Sequence, residues 1–162
     1  MKRLVLAGLA AALLATPAMA QNRGQIAQVA RGASCPGCNL FQAELTGREL
    51  GGINLSRSRL RQADLSLAVM NRASFAGADL RDVNAFGGVF GGASFAGADL
   101  TNATFVGAFL EGANFRGANL TGANFSGAEM GRASGLSQGQ LDRACGDVAT
   151  VLPRGLRIPA CR

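Results

Sequence analysis

Residues 112–128 read GANFRGANLTGANFSGA, and every feature of that stretch returns after five positions. Glycine recurs at Gly112, Gly117, Gly122 and Gly127, alanine at Ala113, Ala118, Ala123 and Ala128, and a large apolar residue at Phe115, Leu120 and Phe125. Five residues of α-helix turn through about 500°, which would smear the large residues around the helix surface. An odd period sends alternate large residues to opposite faces of a strand. A backbone that turns a corner every five residues resolves both conflicts. Each unit then points one large and one small residue inward, and no unit buries anything until its turns stack.

The phase runs unbroken through Leu40, Leu45, Leu50, Leu55, Leu60, Leu65, Met70, Phe75, Leu80, Ala85, Phe90, Phe95, Leu100, Phe105, Leu110, Phe115, Leu120, Phe125 and Met130. A small residue, such as Ala63, Ala68, Ala73 or Ala78, stands two positions before most of these. Units such as Ala78-Asp79-Leu80, Ala98-Asp99-Leu100 and Ala118-Asn119-Leu120 carry the A-(D/N)-(L/F)-x-x pattern. The segment 36–134 therefore resembles the pentapeptide-repeat family. That resemblance implies an all-β fold, a right-handed quadrilateral β-helix with about 20 residues per turn. A 20-residue turn would stack Leu40, Leu60, Leu80, Leu100 and Leu120 in one column, and Phe75, Phe95 and Phe115 above Leu55 and Cys35 in another. A 15-residue turn mixes those columns, whereas a ten-residue spacing fits the later units equally well. At ~4.8 Å between stacked backbones, the repeats would rise about 23 Å.

A coil has two open ends, and open strand edges invite aggregation. At the C-terminal end, Ser137-Gln138-Gly139-Gln140 spells a capping box flanked by Leu136 and Leu141 at staple positions. A short helix is expected over about 138–145, within a capping segment 135–162 whose tail runs past Pro153 and Pro159 to Cys161. That segment also looks like the C-terminal part of exported pentapeptide-repeat proteins. At the N-terminal end, residues 21–35 are expected to form a cap, with a weak helix over 25–30 that uses Ile26 and Val29.

Residues 1–20 stand apart from the repeats. Lys2 and Arg3 precede the apolar run Leu4–Leu14, and Ala18-Met19-Ala20 is a small-x-small cleavage signal. This reads as a secretory signal peptide cut after Ala20, so an exported, periplasmic or extracellular protein is expected. No other stretch approaches ~20 consecutive apolar residues, so no integral membrane segment is expected after cleavage. Export places Cys35, Cys38, Cys145 and Cys161 in an oxidising compartment, where four cysteines permit three pairings. Proximity in sequence favours 35–38 and 145–161. Removing Lys2 and Arg3 leaves 14 arginines against 10 acids, a balance of +4.

The chain contains no histidine. The usual general base near neutral pH is therefore missing, and with it Ser-His-Asp and Cys-His catalysis and histidine-based zinc sites. No catalytic residue, cofactor or metal is expected. Cys35-Pro36-Gly37-Cys38 invites a redox reading, but thioredoxin-like C-x-x-C chemistry needs a βαβ setting that this repeat lacks. Its phase points both cysteines inward, as a structural disulfide requires. Arg57, Arg59 and Arg61 cluster at one corner with Arg81 stacked over Arg61, a candidate basic patch for an anionic surface or an ordinary solvated wall. Arg48 occupies a position that is normally small and inward: either the first turns are looser or its side chain snorkels outward.

One stripe breaks the polar pattern of the outward positions. Val69, Val89 and Phe109 stack between Glu49 and Glu129, and Leu67, Phe86 and Val106 lie around the adjacent corner. Six apolar side chains there form either an interface for a protein partner or a second copy, or a site of repacking in which Phe86 twists inward to fill space that Ala85 leaves. A non-catalytic scaffold is the reading that suits these features. Thiol–disulfide exchange at Cys35 and Cys38 is the enzymatic alternative. DNA mimicry, which some members of the family use to protect gyrase, demands an acidic rod in the cytoplasm. This chain is basic and carries an export signal, so no nucleic-acid partner is expected.

Overall fold

A computed structural model describes residues 21–162, so the signal sequence expected over 1–20 lies outside the described residues. From Asn39↔Arg59 to Asn114↔Ser134, parallel bridges link residues 20 apart at every fifth position. Four five-residue sides therefore close one turn, and the chain is a right-handed quadrilateral β-helix. Each rung is held by paired bonds to the turns above and below. The Leu60 amide donates to Asp79 O at 2.8 Å, and the Asp79 amide donates back to Ser58 O at 2.9 Å.

The corners explain the period. Within each unit the chain folds back through a four-residue turn, as where the Ala63 amide donates to Leu60 O at 2.9 Å. The third residue of such a turn takes a positive φ, and it does so at every fifth position from Gly37 to Gly127. That is the signature of a type II turn and the reason glycine recurs at this place. Seven of these positions hold other residues, among them Gln62, Leu67 and Asn102.

Inside the tube the large and small residues interlock. Leu40, Leu60, Leu80, Leu100 and Leu120 are fully buried in one column. In another, the rings of Phe75, Phe95 and Phe115 lie stacked with successive centroids 5.1 Å apart. Phe105 and Phe125 stack in a third column at 5.5 Å, and Phe90 meets Phe75, Phe95 and Phe105 edge-on. Offset and edge-to-face pairs of this kind add about 0.5–1.5 kcal/mol each beyond simple burial. The polar residue before each large one has its own task. Asp64, Asp99, Asn114 and Asn124 accept from the backbone amide two residues on at 2.8–3.1 Å, which settles the entry to the next corner.

Both ends are covered. Helix α1 (Arg23–Ala30) is capped by Asn22, starts two residues earlier than the sequence predicts, and buries Val29 on the first turn. The Asn39 amide donates to Gln25 Oε1 at 2.7 Å, so a glutamine side chain supplies the acceptor that the missing turn would have provided. Helix α2 (Gln138–Leu141) has the expected capping box and buries Leu141. It ends four residues earlier than predicted because Cys145 has returned to the ladder. The Cys145 amide donates to Ala123 O and its carbonyl accepts from Phe125, at 2.9 and 2.8 Å.

The tail after α2 is one further turn of the coil. Asn124 bridges to Cys145 and Glu129 to Val151, separations of 21 and 22 residues in place of 20. Gln140 Nε2 donates to Phe115 O and Ala118 O at 3.0 and 2.9 Å, satisfying carbonyls at the end of the regular repeat. The Gly127 amide likewise finds Asp147 Oδ1 at 2.9 Å, where a backbone carbonyl would otherwise stand. Cys145 and Cys161 are disulfide-bonded with Cα atoms 4.8 Å apart. No helix among the described residues is long and apolar enough to cross a membrane.

Candidate interaction surface

The four walls of the tube can be compared at one outward place, the residue before each large core side chain. Three walls carry mostly Asn, Asp, Ser and Thr there. The fourth carries Glu49, Val69, Val89, Phe109 and Glu129, linked by successive bridges. Replacing Asn or Asp with valine or phenylalanine removes the side-chain acceptor for the next corner's amide. After Val89 the loss is made good from one turn away, and the corner after Glu129 is served in the same manner. The Gly91 amide donates to Asn71 Oδ1 at 2.9 Å, one turn below. The Gly131 and Arg132 amides donate to the two oxygens of Glu111 at 2.8 and 2.9 Å. Neither Asn71 nor Glu111 emerges from the sequence reading. The signal for Asn71 is Val89, which leaves the Gly91 amide in want of an acceptor; Glu111 serves the corner after Glu129 and has no such signal.

The six apolar side chains of the stripe come together on this wall and its preceding corner. Leu67 is 57 % exposed, Phe86 51 % and Phe109 36 %. Val69, Val89 and Val106 are half-buried among them. Leu67 leans over Gly87, where an added Cβ would lie 2.9 Å from Leu67 Cδ2, and so joins the corner to the wall. Phe109 lies over Gly91 in the same way, 3.1 Å from where a Cβ would stand. Leu67 does this at φ +57°, an uncommon conformation for a bulky side chain.

Of the two readings of the stripe, the inward twist of Phe86 does not occur, since its ring stays outside. Beside Ala85, the Phe90 ring packs inward against Gly88. Gly88 makes this possible, because a Cβ there would stand 2.5 Å from the Phe90 ring. Arg48 is exposed, and its unit keeps the regular turn: its amide donates to Leu45 O at 3.2 Å. Of the two expectations for Arg48, the outward side chain holds and the loosened turn does not.

The arginine corner is less basic than the sequence implies. Arg81 grips Asp79 through two bonds of 2.7 and 2.6 Å and lies 3.7 Å from Asp99. Arg61 Nε lies 3.5 Å from Asp82. The hydrogen bond from Arg81 holds the Asp79 carboxyl below the usual aspartate range and raises the guanidinium's own affinity for its proton. Arg57 and Arg59 border a shallow groove with Asp79 beside them. Arg61 and Arg81 are thus paired with carboxylates in place. Cys35 and Cys38 are joined in the first turn with Cα atoms 5.5 Å apart. They are 5 % and 7 % exposed, and the Cys35 carbonyl accepts from buried Ser58 Oγ at 2.9 Å.

Ladder, corner and core define a solenoid built from five-residue units. The family model for pentapeptide repeats matches eight copies over residues 49–84 and 90–132, and the chain belongs to that family. The unmatched residues 85–89 include Phe86, Gly88 and Val89, the centre of the apolar face. No curated protein matches the chain in sequence. Among solved structures, the chain is similar to HetL, a pentapeptide repeat protein involved in heterocyst differentiation regulation from the cyanobacterium Nostoc sp. strain PCC 7120. That match has 29 % identity over 70 % of this chain and 57 % of HetL, with a TM-score of 0.42. A pentapeptide repeat protein of the Arabidopsis thaliana thylakoid lumen matches at 32 % identity over 56 % of each chain, TM-score 0.32. A second protein of Nostoc PCC 7120 matches at 26 % identity over 86 % of this chain and 91 % of its own, TM-score 0.37. This chain thus spans little more than half the length of the first two.

Proposed function

We propose that this protein is an exported, non-catalytic scaffold that binds protein through the wall carrying Val69, Val89 and Phe109. The observation that carries the reading is the exchange of turn-capping Asn and Asp for half-buried valines and an exposed phenylalanine on one wall. A substitute cap from Asn71 serves the corner after Val89. The coil gains no buried core from side chains that remain exposed, and surface apolar patches of a few hundred Å² often mark interfaces. Leu67 supports the same reading, since it holds an exposed apolar side chain where glycine would be free of strain. Burial of the Cys35–Cys38 bridge favours a structural over a catalytic role. Pairing of Arg61 and Arg81 with carboxylates removes support from the anionic-surface alternative.

Capture from the exported compartment tests the proposal, with wild type and Phe109→Asp as parallel baits. The variant is expected to keep its thermal midpoint within a few degrees, because Phe109 lies outside the core, and to lose what the wild type retains. Recovery of the same proteins, or the same self-association, by both baits would remove the wall from consideration.

A further inference from the structure

The two disulfides sit in opposite surroundings. Cys35 and Cys38 are buried inside the first turn, whereas Cys145 and Cys161 are only half-buried at the other end of the coil. An open cleft of about 500 Å³ adjoins the second bridge, walled by Ser126, Val148, Ile158 and Ala160. Cys161 lines this cleft and Cys145 does not. A nucleophile entering there meets Cys161 first, with Cys145 as the leaving sulfur. We infer that the Cys145–Cys161 bridge is a thiol-exchange site, opened by a dithiol protein that docks at this cleft, and that its opening releases the tail from the coil.

The exchange balances with the dithiol alone. Its thiolate bonds to Cys161 Sγ, the bond to Cys145 Sγ breaks, and the electron pair leaves on Cys145, which takes a proton from water. The second thiol of the dithiol, as thiolate, then attacks the mixed disulfide and displaces Cys161. Both cysteines end as thiols, and the dithiol ends as its own disulfide.

The lining of the cleft fits these steps. Ser126 Oγ lies 3.5 Å from Cys161 Sγ, where its hydroxyl can donate to the sulfur as that sulfur leaves in the second step. Asp147 also borders the cleft, and a bare carboxylate would repel a thiolate. Its Oδ1 accepts from the Gly127 and Ala149 amides and from the Thr150 hydroxyl at 2.9–3.1 Å, which draws off that charge. Val148 is fully exposed and Ile158 half-buried, so the cleft has an apolar rim that a protein can cover and a small thiol cannot use.

Little besides the bridge fastens the tail. The Val151 amide donates to Ala128 O and its carbonyl accepts from Met130, both at 2.9 Å, and Thr150 Oγ1 donates to Phe125 O at 3.0 Å. Leu152, Leu156 and Ile158 are half-buried against the core. Once the tail leaves, Glu129 replaces Val151 as the last rung of its wall. Exposed bridges are the readily reduced and regulatory ones, whereas buried structural bridges resist reduction.

Graded dithiothreitol on the purified mature chain, followed by alkylation and mass mapping, tests the selectivity. Cys145 and Cys161 are expected to react at least about tenfold faster than Cys35 and Cys38. Amide protection at Met130 and Val151 should fall as they react, while that at Leu80 holds. Thioredoxin is the protein probe. A thioredoxin keeping only its attacking cysteine should be trapped on Cys161. Val148→Asp should slow reduction by thioredoxin about tenfold and leave the rate with dithiothreitol unchanged. Equal rates at the two bridges, trapping on Cys145, or a Val148→Asp effect that does not distinguish the two reductants overturns the inference. So does a reduced bridge with Met130 and Val151 still protected, because the bridge would then fasten nothing.

Discussion

The corner residue with positive φ makes each five-residue unit possible. Glycine reaches that conformation without cost, whereas other L-residues pay about 1–2 kcal/mol. Gly97 isolates the effect, since it sits at φ +65° and a Cβ added there would meet nothing within 4 Å. Gly97→Ala is expected to destabilise the fold by about 1 kcal/mol in chemical denaturation, and Gly97→Asn by less, because asparagine tolerates the left-handed region. Gly88 presents the opposite case. Its backbone is ordinary, but its missing Cβ makes room for the Phe90 ring. Gly88→Ala is expected to cost about 1–3 kcal/mol from overpacking. Combining it with Phe90→Leu should cost less than the two single changes added together, because both act on the same space.

At the scale of the element, the caps differ from the coil in what holds them. The repeats hold themselves by backbone rungs and buried side chains, whereas no residue after Gly146 is buried. The final turn depends on the Cys145–Cys161 bridge and a few ladder bonds, such as the Cys161 amide to Gly146 O at 2.9 Å. Closing a loop of this length contributes about 3 kcal/mol on the chain-entropy account. Cys161→Ser is expected to release the tail while leaving the coil folded. Amide exchange checks this: protection should fall at Gly146 and Val151 and remain unchanged at Leu80 and Leu100. Uniform loss of protection along the chain would show that the tail and coil unfold as one unit. The C-terminal capping box was legible from Ser137 and Gln140, because that motif is local in sequence. The length of α2 was not, because it is set by Cys145 rejoining a ladder whose partner is Asn124, 21 residues away.

Over the whole molecule, acidity acts through several carboxylates at once. The Arg81 hydrogen bond lowers Asp79, the Arg132 hydrogen bond lowers Glu111, and the Gly127 amide lowers Asp147. Each binds its proton less readily in the folded chain than in the unfolded one. Each therefore contributes stability that is complete above its unfolded value and is lost as pH falls through the lower, folded value. The thermal midpoint is expected to stay flat from neutrality to about pH 5 and to fall below the ordinary values of 3.8 for Asp79 and 4.5 for Glu111. Asp79→Asn should shallow that fall. A midpoint that rises on acidification would contradict the sign.

The sequence by itself determined the tube. A large residue at nearly every fifth place, a small one two before most of them and a glycine-rich corner leave only a turning, stacked backbone, because each unit's constraints are local and recur in phase along the chain. The same period placed Val69, Val89 and Phe109 in one outward column and Cys35 and Cys38 inside. Tertiary structure decided what depends on neighbours a full turn away. It kept Phe86 outside while the Phe90 ring packed against Gly88, bound Arg81 to Asp79, and supplied Asn71 and Glu111 as caps for corners a turn away. It also folded the tail into one more turn with its register slipped. Stacking brings residues about 20 positions apart into contact, and which of several side chains fills a shared space is settled only when those turns meet.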